Sequence, residues 1–470
     1  MNYQRLADEV AARIIDGTLR PGEQLPTQRI FARRRGIAPS TAIRVYQELV
    51  RRGLVVGEVG RGSFVRAGTG PGTHALAEPA DARIDLELNY PVIPGQAELL
   101  ARSLGSLLRP EALADALRPI GAVGTDVART RFAQFVARGE WQPRPDDLLF
   151  SGNGRQAITA ALSALVPAGG RLGVEALTYP VVKGLAQRLG ITLVPLPMDD
   201  AGIIPSALAD AHRSTPLRAV YLQPRAHNPL GISWPANRRA ELADVLRACD
   251  LPVIEDAVWS FLAEPEPEPD RESERGSESE SALGPLAAQL PERTVLIDSL
   301  SKRLAPGLSV GFVVVASDEL RSNVANALRS MAAAPGAFAL ESAVRWLGDG
   351  TVTEIVEGKR ADAAERQRLV RELLAGQTLR SDQSSYYVWW ELPEPWRAET
   401  FVASAHAKGI AVTSGEAFAA DPRSTPRAVR IALASPPLDV LGRALTTLRE
   451  LAAGNVDRGA DRTDWADWTD

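Results

Sequence analysis

The run "DSLSKRLAPGLSVGF", residues 298–312, sets Lys302 just past a strand-like stretch, beside two hydroxyls and ahead of a Pro-Gly turn. A lysine forms a Schiff base with an aldehyde cofactor only where it meets the carbonyl and can become neutral. Alone the string means little, because surface lysines beside serines are common. Its companions change the reading. "PVIEDAVW" ends an apolar run on Asp256, and a carboxylate there can keep a pyridine nitrogen protonated, turning the ring into an electron sink. "YLQPRAHNPLG" puts Asn228 in a turn before Pro229, where its amide could bond a ring hydroxyl. "VEALTYP" sets Tyr179 after another apolar run, where its ring could stack on a flat cofactor. "FSGNGRQAI" is a glycine-containing strand-to-helix turn, residues 152–155, whose free backbone N–H groups suit a phosphate.

These residues converge only if the elements carrying them are parallel neighbours. Short apolar runs ("DLLF", "RLGV", "LVPL", "AVYL", "PVIED", "TVLID", "GFVVVA") alternate with amphipathic stretches such as "GRQAITAALSAL". That alternation predicts an α/β domain with a mainly parallel sheet, whose strand ends open on one side. The part from "YYVWWELP" to "VRIALA" reads as a smaller α+β lobe. At 470 residues the chain exceeds one compact core, so at least two domains are expected. It is 45% hydrophobic and 24% charged, the composition of an ordinary globular protein. The one cysteine, Cys249, excludes an internal disulfide framework. The four histidines (His74, His212, His227 and His406) have no metal-ligand spacing. The opening "MNYQRLADEV" lacks the pattern of a signal peptide and no apolar run approaches spanning length, so a cytoplasmic location and no membrane contact are expected.

The net charge of −5 is uneven. Residues 1–67 hold 12 arginines against 6 acidic residues, residues 264–280 hold 8 acidic residues against 2 arginines, and residues 455–470 hold 5 aspartates against 2 arginines. A basic end on an acidic chain predicts an anionic partner for that end. Leu6, Val10 and Ile14 make a helical stripe, Thr27 can cap a short second helix, and Pro39 opens a third carrying Ala42, Val45, Tyr46, Leu49 and Val50 on one face. "LVVGEVGRGSFVRA" alternates about Gly60-Arg61-Gly62, as a two-stranded wing does. The result is a winged helix-turn-helix, with Ser40, Thr41, Arg44 and Gln47 on the polar face of its third helix, able to reach phosphates and base edges. The expected division is a DNA-binding domain at 1–67, a linker at 68–83, a cofactor domain at 84–454 with a disordered acidic insertion at 264–285, and an acidic tail at 455–470. The insertion could instead be a regulatory or docking loop.

Two resemblances follow. "LRPGEQLPTQR", the "ST" at 40–41 and the "GRGSFV" wing are similar to the DNA-binding domain of the GntR family of transcription regulators. This implies DNA contacts through Arg29, Ser40, Thr41, Arg44 and the wing tip Gly60, Arg61 and Gly62. The family's hydroxyl cap and following basic residue are replaced by Ala38 and Pro39. Residues 84–454 resemble the fold type I, aminotransferase class I/II family of pyridoxal 5'-phosphate enzymes. That implies Lys302 as the Schiff-base lysine, Asp256 on the pyridine nitrogen, Asn228 on the ring oxygen and Tyr179 stacked on the ring. Asn153, Gly154, Arg155, Ser299 and Ser301 would hold the phosphate, and Arg430 would grip a carboxylate. Ser309 stands where the family has a phosphate-binding arginine, with Arg303 the candidate replacement and Arg155 a weaker one; Val258 and Trp259 follow Asp256 where a tyrosine is usual. Together the halves resemble the MocR subfamily. The resemblance implies a head-to-tail homodimer that binds operator DNA with paired half-sites and senses the cofactor, an amine or an amino acid. Three readings stay open: such a regulator, a working aminotransferase carrying a DNA-binding domain, and a DNA-binding protein whose large domain only dimerises.

Overall fold

The apolar runs pack into several cores, one confined to the N-terminal unit and the others within the rest of the chain. In this computed structural model the described residues are 3–16, 18, 19, 23–52, 54–58, 62–65, 83–263, 284–421, 424 and 426–454. The expected linker residues 68–82, the acidic run 264–283 and the tail 455–470 lie outside them, as do Gly60 and Arg61 of the wing tip. Gly284 and Pro285, placed in the insertion on sequence, instead lead into the short helix Leu286–Gln289, which Pro285 starts.

The N-terminal unit has helices α1 (Tyr3–Ile15), α2 (Gln28–Arg34) and α3 (Pro39–Arg51), then strands β1 (Val55–Glu58) and β2 (Gly62–Val65). The two strands pair antiparallel, and the two-residue strand Gln24–Leu25 adds to β2. Thr27 caps α2, its Oγ1 accepting from the Ile30 N–H at 3.4 Å. Ala38 offers α3 no side-chain cap, and Pro39 supplies the preset first turn instead. Leu6, Val10, Phe31, Val45, Tyr46 and Leu49 share one core. Val50, placed on the apolar face of α3 by its spacing, is 43% exposed; at eight residues from Ala42 it has rotated off the buried stripe.

The large sheet comprises β3 (Leu148–Ser151), β4 (Arg171–Glu175), β5 (Thr192–Leu196), β6 (Ala219–Leu222), β7 (Val253–Asp256), β8 (Thr294–Ser299) and β9 (Gly311–Val314). Their order is β3-β9-β8-β7-β6-β4-β5. Every neighbouring pair is parallel except those of β9, which runs antiparallel to both β8 and β3. Helix α4 (Gly154–Leu165) follows β3, and α5 (Pro180–Leu189) follows β4. Leu162, Val174, Ile254 and Val295 lie in one core of the domain, while Phe132, Phe150, Phe312 and Trp346 lie in another. Burial on both faces is why these strands read as unbroken apolar runs.

The smaller lobe is a second sheet whose main strands are β10 (Tyr387–Glu391), β11 (Ile410–Ser414) and β12 (Ala428–Ala432). Its edge is the strand Ile84–Leu86, parallel to β11. The first strand after residue 82 therefore joins the small lobe. No helix among the described residues is long and apolar enough to cross a membrane.

Gly311 lets β9 lie close to the turn that starts α4. A Cβ there would run into the Asn153 backbone and the Ser151 hydroxyl. Gly311→Ala should therefore cost about 1–3 kcal/mol by overpacking, read as a lowered thermal unfolding midpoint; an unchanged midpoint would refute this close approach.

Candidate functional site

The chain returns to one edge of the sheet at the C-terminal ends of β4, β7 and β8. The N-terminus of α4 meets the same edge because β9 holds the Asn153 turn against β8. From these ends the sequence-predicted side chains come together.

Lys302 lies on α6 (Leu300–Arg303), the single turn that follows β8. Its Nζ donates to the Asn89 carbonyl at 2.7 Å and lies 5.3 Å from the ring centres of both Tyr90 and Trp259. Burial, with the nearby charges of Arg155 and Arg430, pushes its amine down to about 7. A lysine so placed is substantially neutral near neutral pH and is a competent nucleophile. The turn beneath it is held from α7 (Thr351–Leu373), where the buried Lys359 donates to the carbonyls of Lys302 at 3.0 Å and Leu304 at 2.5 Å. Those are carbonyls that a helix end leaves open.

Asp256 closes β7 and is buried. Its carboxylate accepts from Tyr221 Oη at 2.5 Å, Gln223 Nε2 at 3.2 Å and the Val258 N–H at 3.0 Å. Burial still pushes its carboxyl up to about 6, so a cationic ring nitrogen facing it would restore its full charge. Asn228 precedes a cis Pro229 and is buried; its Oδ1 accepts from Arg430 Nη1 at 3.1 Å. Arg430, in β12, also donates to the Glu87 carbonyl and to Thr413 Oγ1, and its buried Nε has no hydrogen-bond partner among the described residues. Tyr179 ends the loop before α5, half-buried, within electrostatic reach of Tyr90 and Arg430.

At the other end three hydroxyls gather. Ser299 Oγ lies 2.7 Å from Ser301 Oγ and 3.1 Å from Ser309 Oγ, and Ser301 also bonds Ser309. Gly154 opens α4 against this cluster; a Cβ there would press on Ser299 Cβ at 3.2 Å. Asn153 caps α4 by accepting from the Gln156 N–H at 3.0 Å, and Arg155 stands exposed one residue into the helix. A helix N-terminus, clustered hydroxyls and a guanidinium are donors suited to a phosphate.

Arg303 does not join them, and its expected role as the replacement cation is corrected. It is buried in an ion pair with Asp298, with Phe135 and Phe261 rings at 5.2 and 5.1 Å. Successive side chains on a helical turn point in different directions, so the turn that aims Lys302 at the site aims Arg303 away from it. Sequence reasoning missed Tyr221 and Gln223 around Asp256, Asn89 and Tyr90 around Lys302, and Lys359 beneath it. Ser309, read as a lost arginine, is the third hydroxyl. Of the DNA-facing set, Arg29, Ser40 and Arg44 are exposed, Thr41 is half-buried, and Gly62 begins β2 with a positive φ of 123°.

The amine of Lys302 should label at near-neutral pH. In the cofactor-free protein, fluorodinitrobenzene modification of its peptide, followed by mass analysis, should reach half-maximum near pH 7. Arg155→Met removes a like charge, so the half-maximum should move upward. A wild-type midpoint at the ordinary lysine value would contradict this picture of the site.

Comparison with known proteins agrees with the two halves. Residues 117–448 match the aminotransferase class I and II family, and residues 2–65 match the gntR family of bacterial regulatory proteins. The HTH-type transcriptional regulator YdeF of Bacillus subtilis is 27% identical over 453 residues, 96% of this chain and 94% of that protein. The pyridoxine biosynthesis transcriptional regulator PdxR of Corynebacterium glutamicum is 24% identical, across 79% of this chain and 78% of its own. Among solved structures, the α-aminoadipate aminotransferase LysN of Thermus thermophilus, complexed with N-(5'-phosphopyridoxyl)-L-leucine, superposes with a TM-score of 0.69 at 19% identity, covering 81% of this chain and 94% of that one. The chain thus belongs to the aminotransferase class I and II family and carries that fold behind a GntR-type helix-turn-helix, the architecture of the MocR regulators.

Proposed function

We propose that the protein is a transcription regulator whose aminotransferase-like domain binds pyridoxal 5'-phosphate and senses it, or an amine or amino acid that reacts with it. The observation that carries this reading is the Lys302 amine, held near neutrality between Tyr90 and Trp259 in a chain that also presents the Ser40 and Arg44 face of α3. Relatives matching 96% and 79% of this chain are named as transcriptional regulators.

When bound, pyridoxal 5'-phosphate supplies an aldehyde for a neutral amine and a pyridine ring that draws electrons. The residues of this chain do the rest. Lys302 Nζ would be the amine that takes the aldehyde. Asp256, fixed by Tyr221 and Gln223, would keep the ring nitrogen protonated. Asn228 would bond the ring oxygen and Tyr179 would stack on the ring. Ser299, Ser301, Ser309, the Asn153–Gly154 turn and Arg155 would hold the phosphate. Arg430 binds the carboxylate of an amino-acid effector with its guanidinium fork. Arg29, Ser40, Thr41, Arg44 and the wing bind double-stranded operator DNA. Two such modules in a head-to-tail homodimer match paired half-sites. Leu108, Leu117 and Val127 are 63%, 84% and 62% exposed, apolar side chains that a second copy would cover.

Added cofactor should give a new absorption band, and borohydride should fix its mass on the Lys302 peptide; Lys302→Ala should show neither. Binding to operator fragments selected from random DNA should change several-fold with the cofactor and a panel of amines, and Lys302→Ala should lose this response. Operator binding indifferent to the cofactor in both proteins would refute the sensing role, whereas an unmodified peptide at saturating aldehyde would refute the cofactor itself. Arg44→Ala should weaken operator binding by about 1–3 kcal/mol, measured by fluorescence anisotropy at fixed salt.

A further inference from the structure

A cavity of about 80 Å³ lies beyond Asp256 and Asp298, and its wall carries four arginines: Arg138, Arg225, Arg303 and Arg360. The carboxylates on the same wall are committed elsewhere. Asp298 pairs with Arg303. Glu255 accepts from the Leu286 and Ala287 N–H groups at 3.0 Å each. Asp256 is held by Tyr221, Gln223 and Val258. Arg138 donates only to backbone carbonyls, Phe135 at 2.9 Å and Ala137 at 2.7 Å, and Arg360 donates to the Phe261 carbonyl at 2.6 Å. Neither has an ion-pair partner among the described residues. The other three guanidiniums act on Arg138 as like charges, opposed by Asp298, and Arg360 feels Arg303 and Arg225 in the same way, opposed by Glu357. Arg303, only 4% exposed, lines this cavity with a buried Nε that has no hydrogen-bond partner among the described residues.

Arg138 and Arg360, which share this void and bond only carbonyls among the described residues, leave an unfinished charge arrangement. Like charges at close range repel, and buried donors without acceptors cost free energy. An oxyanion completes both, because its oxygens accept from planar guanidinium forks. Arg138 is exposed, which gives the cavity a way in from solvent.

We propose that this cavity is a second anion site, separate from the Lys302 centre, that takes a small dianionic oxyanion of sulfate or phosphate size.

Calorimetric titration of sulfate into the full-length protein at constant ionic strength tests this. A saturable heat is expected. It should weaken at least tenfold in Arg138→Met and in Arg360→Met, each first shown to keep the parent's unfolding midpoint, and persist in Ser301→Ala, which alters the hydroxyl cluster instead. Should Arg360→Met fail to fold, the exposed Arg138→Met and Arg138→Glu carry the test. No saturable heat in the full-length protein, or heat unaltered by the arginine substitutions, overturns the proposal.

Discussion

A positive charge on the Lys302 amine is costly where the fold has put it. The nitrogen is held between two aromatic rings, has one carbonyl to donate to and shares its surroundings with two guanidiniums. Desolvation and like-charge repulsion both favour the neutral form, and that form is the one that reacts. The surrounding architecture serves this condition. The parallel strands deliver Asp256 and Ser299 to one edge, β9 brings in α4, and Lys359 secures the turn that presents the lysine.

The same condition limits how the phosphate end can be built. Another buried arginine close to Lys302 would depress the amine further. Three hydroxyls and a helix N-terminus supply donors with little added charge, while the formal cation, Arg155, stays exposed where solvent screens it. Ser309 in place of an arginine is thus compatible with an anion cup that relies on hydrogen bonds. Arg303, held away by Asp298, belongs to a different electrostatic neighbourhood.

Much of this was legible along the chain. Strands buried on both faces leave continuous apolar runs, and the chemistry-bearing residues sit where those runs end, so Asp256, Asn228, Tyr179 and Lys302 could be picked out by position. The helical spacing and the glycine-centred alternation of the first 67 residues gave the DNA-binding fold in the same way. What could not be read depends on direction or on distant partners. Nothing local says that Arg303 turns from the site while its neighbour Lys302 enters it. Tyr221 and Gln223 look like ordinary members of a buried strand and its exit, yet they hold Asp256. Asn89 and Lys359 lie far from Lys302 in sequence, and only the folded chain reveals them as its supports.

The segment from Glu87 to Tyr90 has a place in the fold that bears on the site. It follows the strand Ile84–Leu86, which pairs with the small lobe, and runs past the reactive centre. There Arg430 donates to the Glu87 carbonyl and Lys302 to the Asn89 carbonyl. The Lys302 amine and the Arg430 guanidinium are thus both fastened to this one segment. A ligand that drew either donor away would leave a backbone carbonyl of the segment without its side-chain partner, close to the strand that ties it to the small lobe.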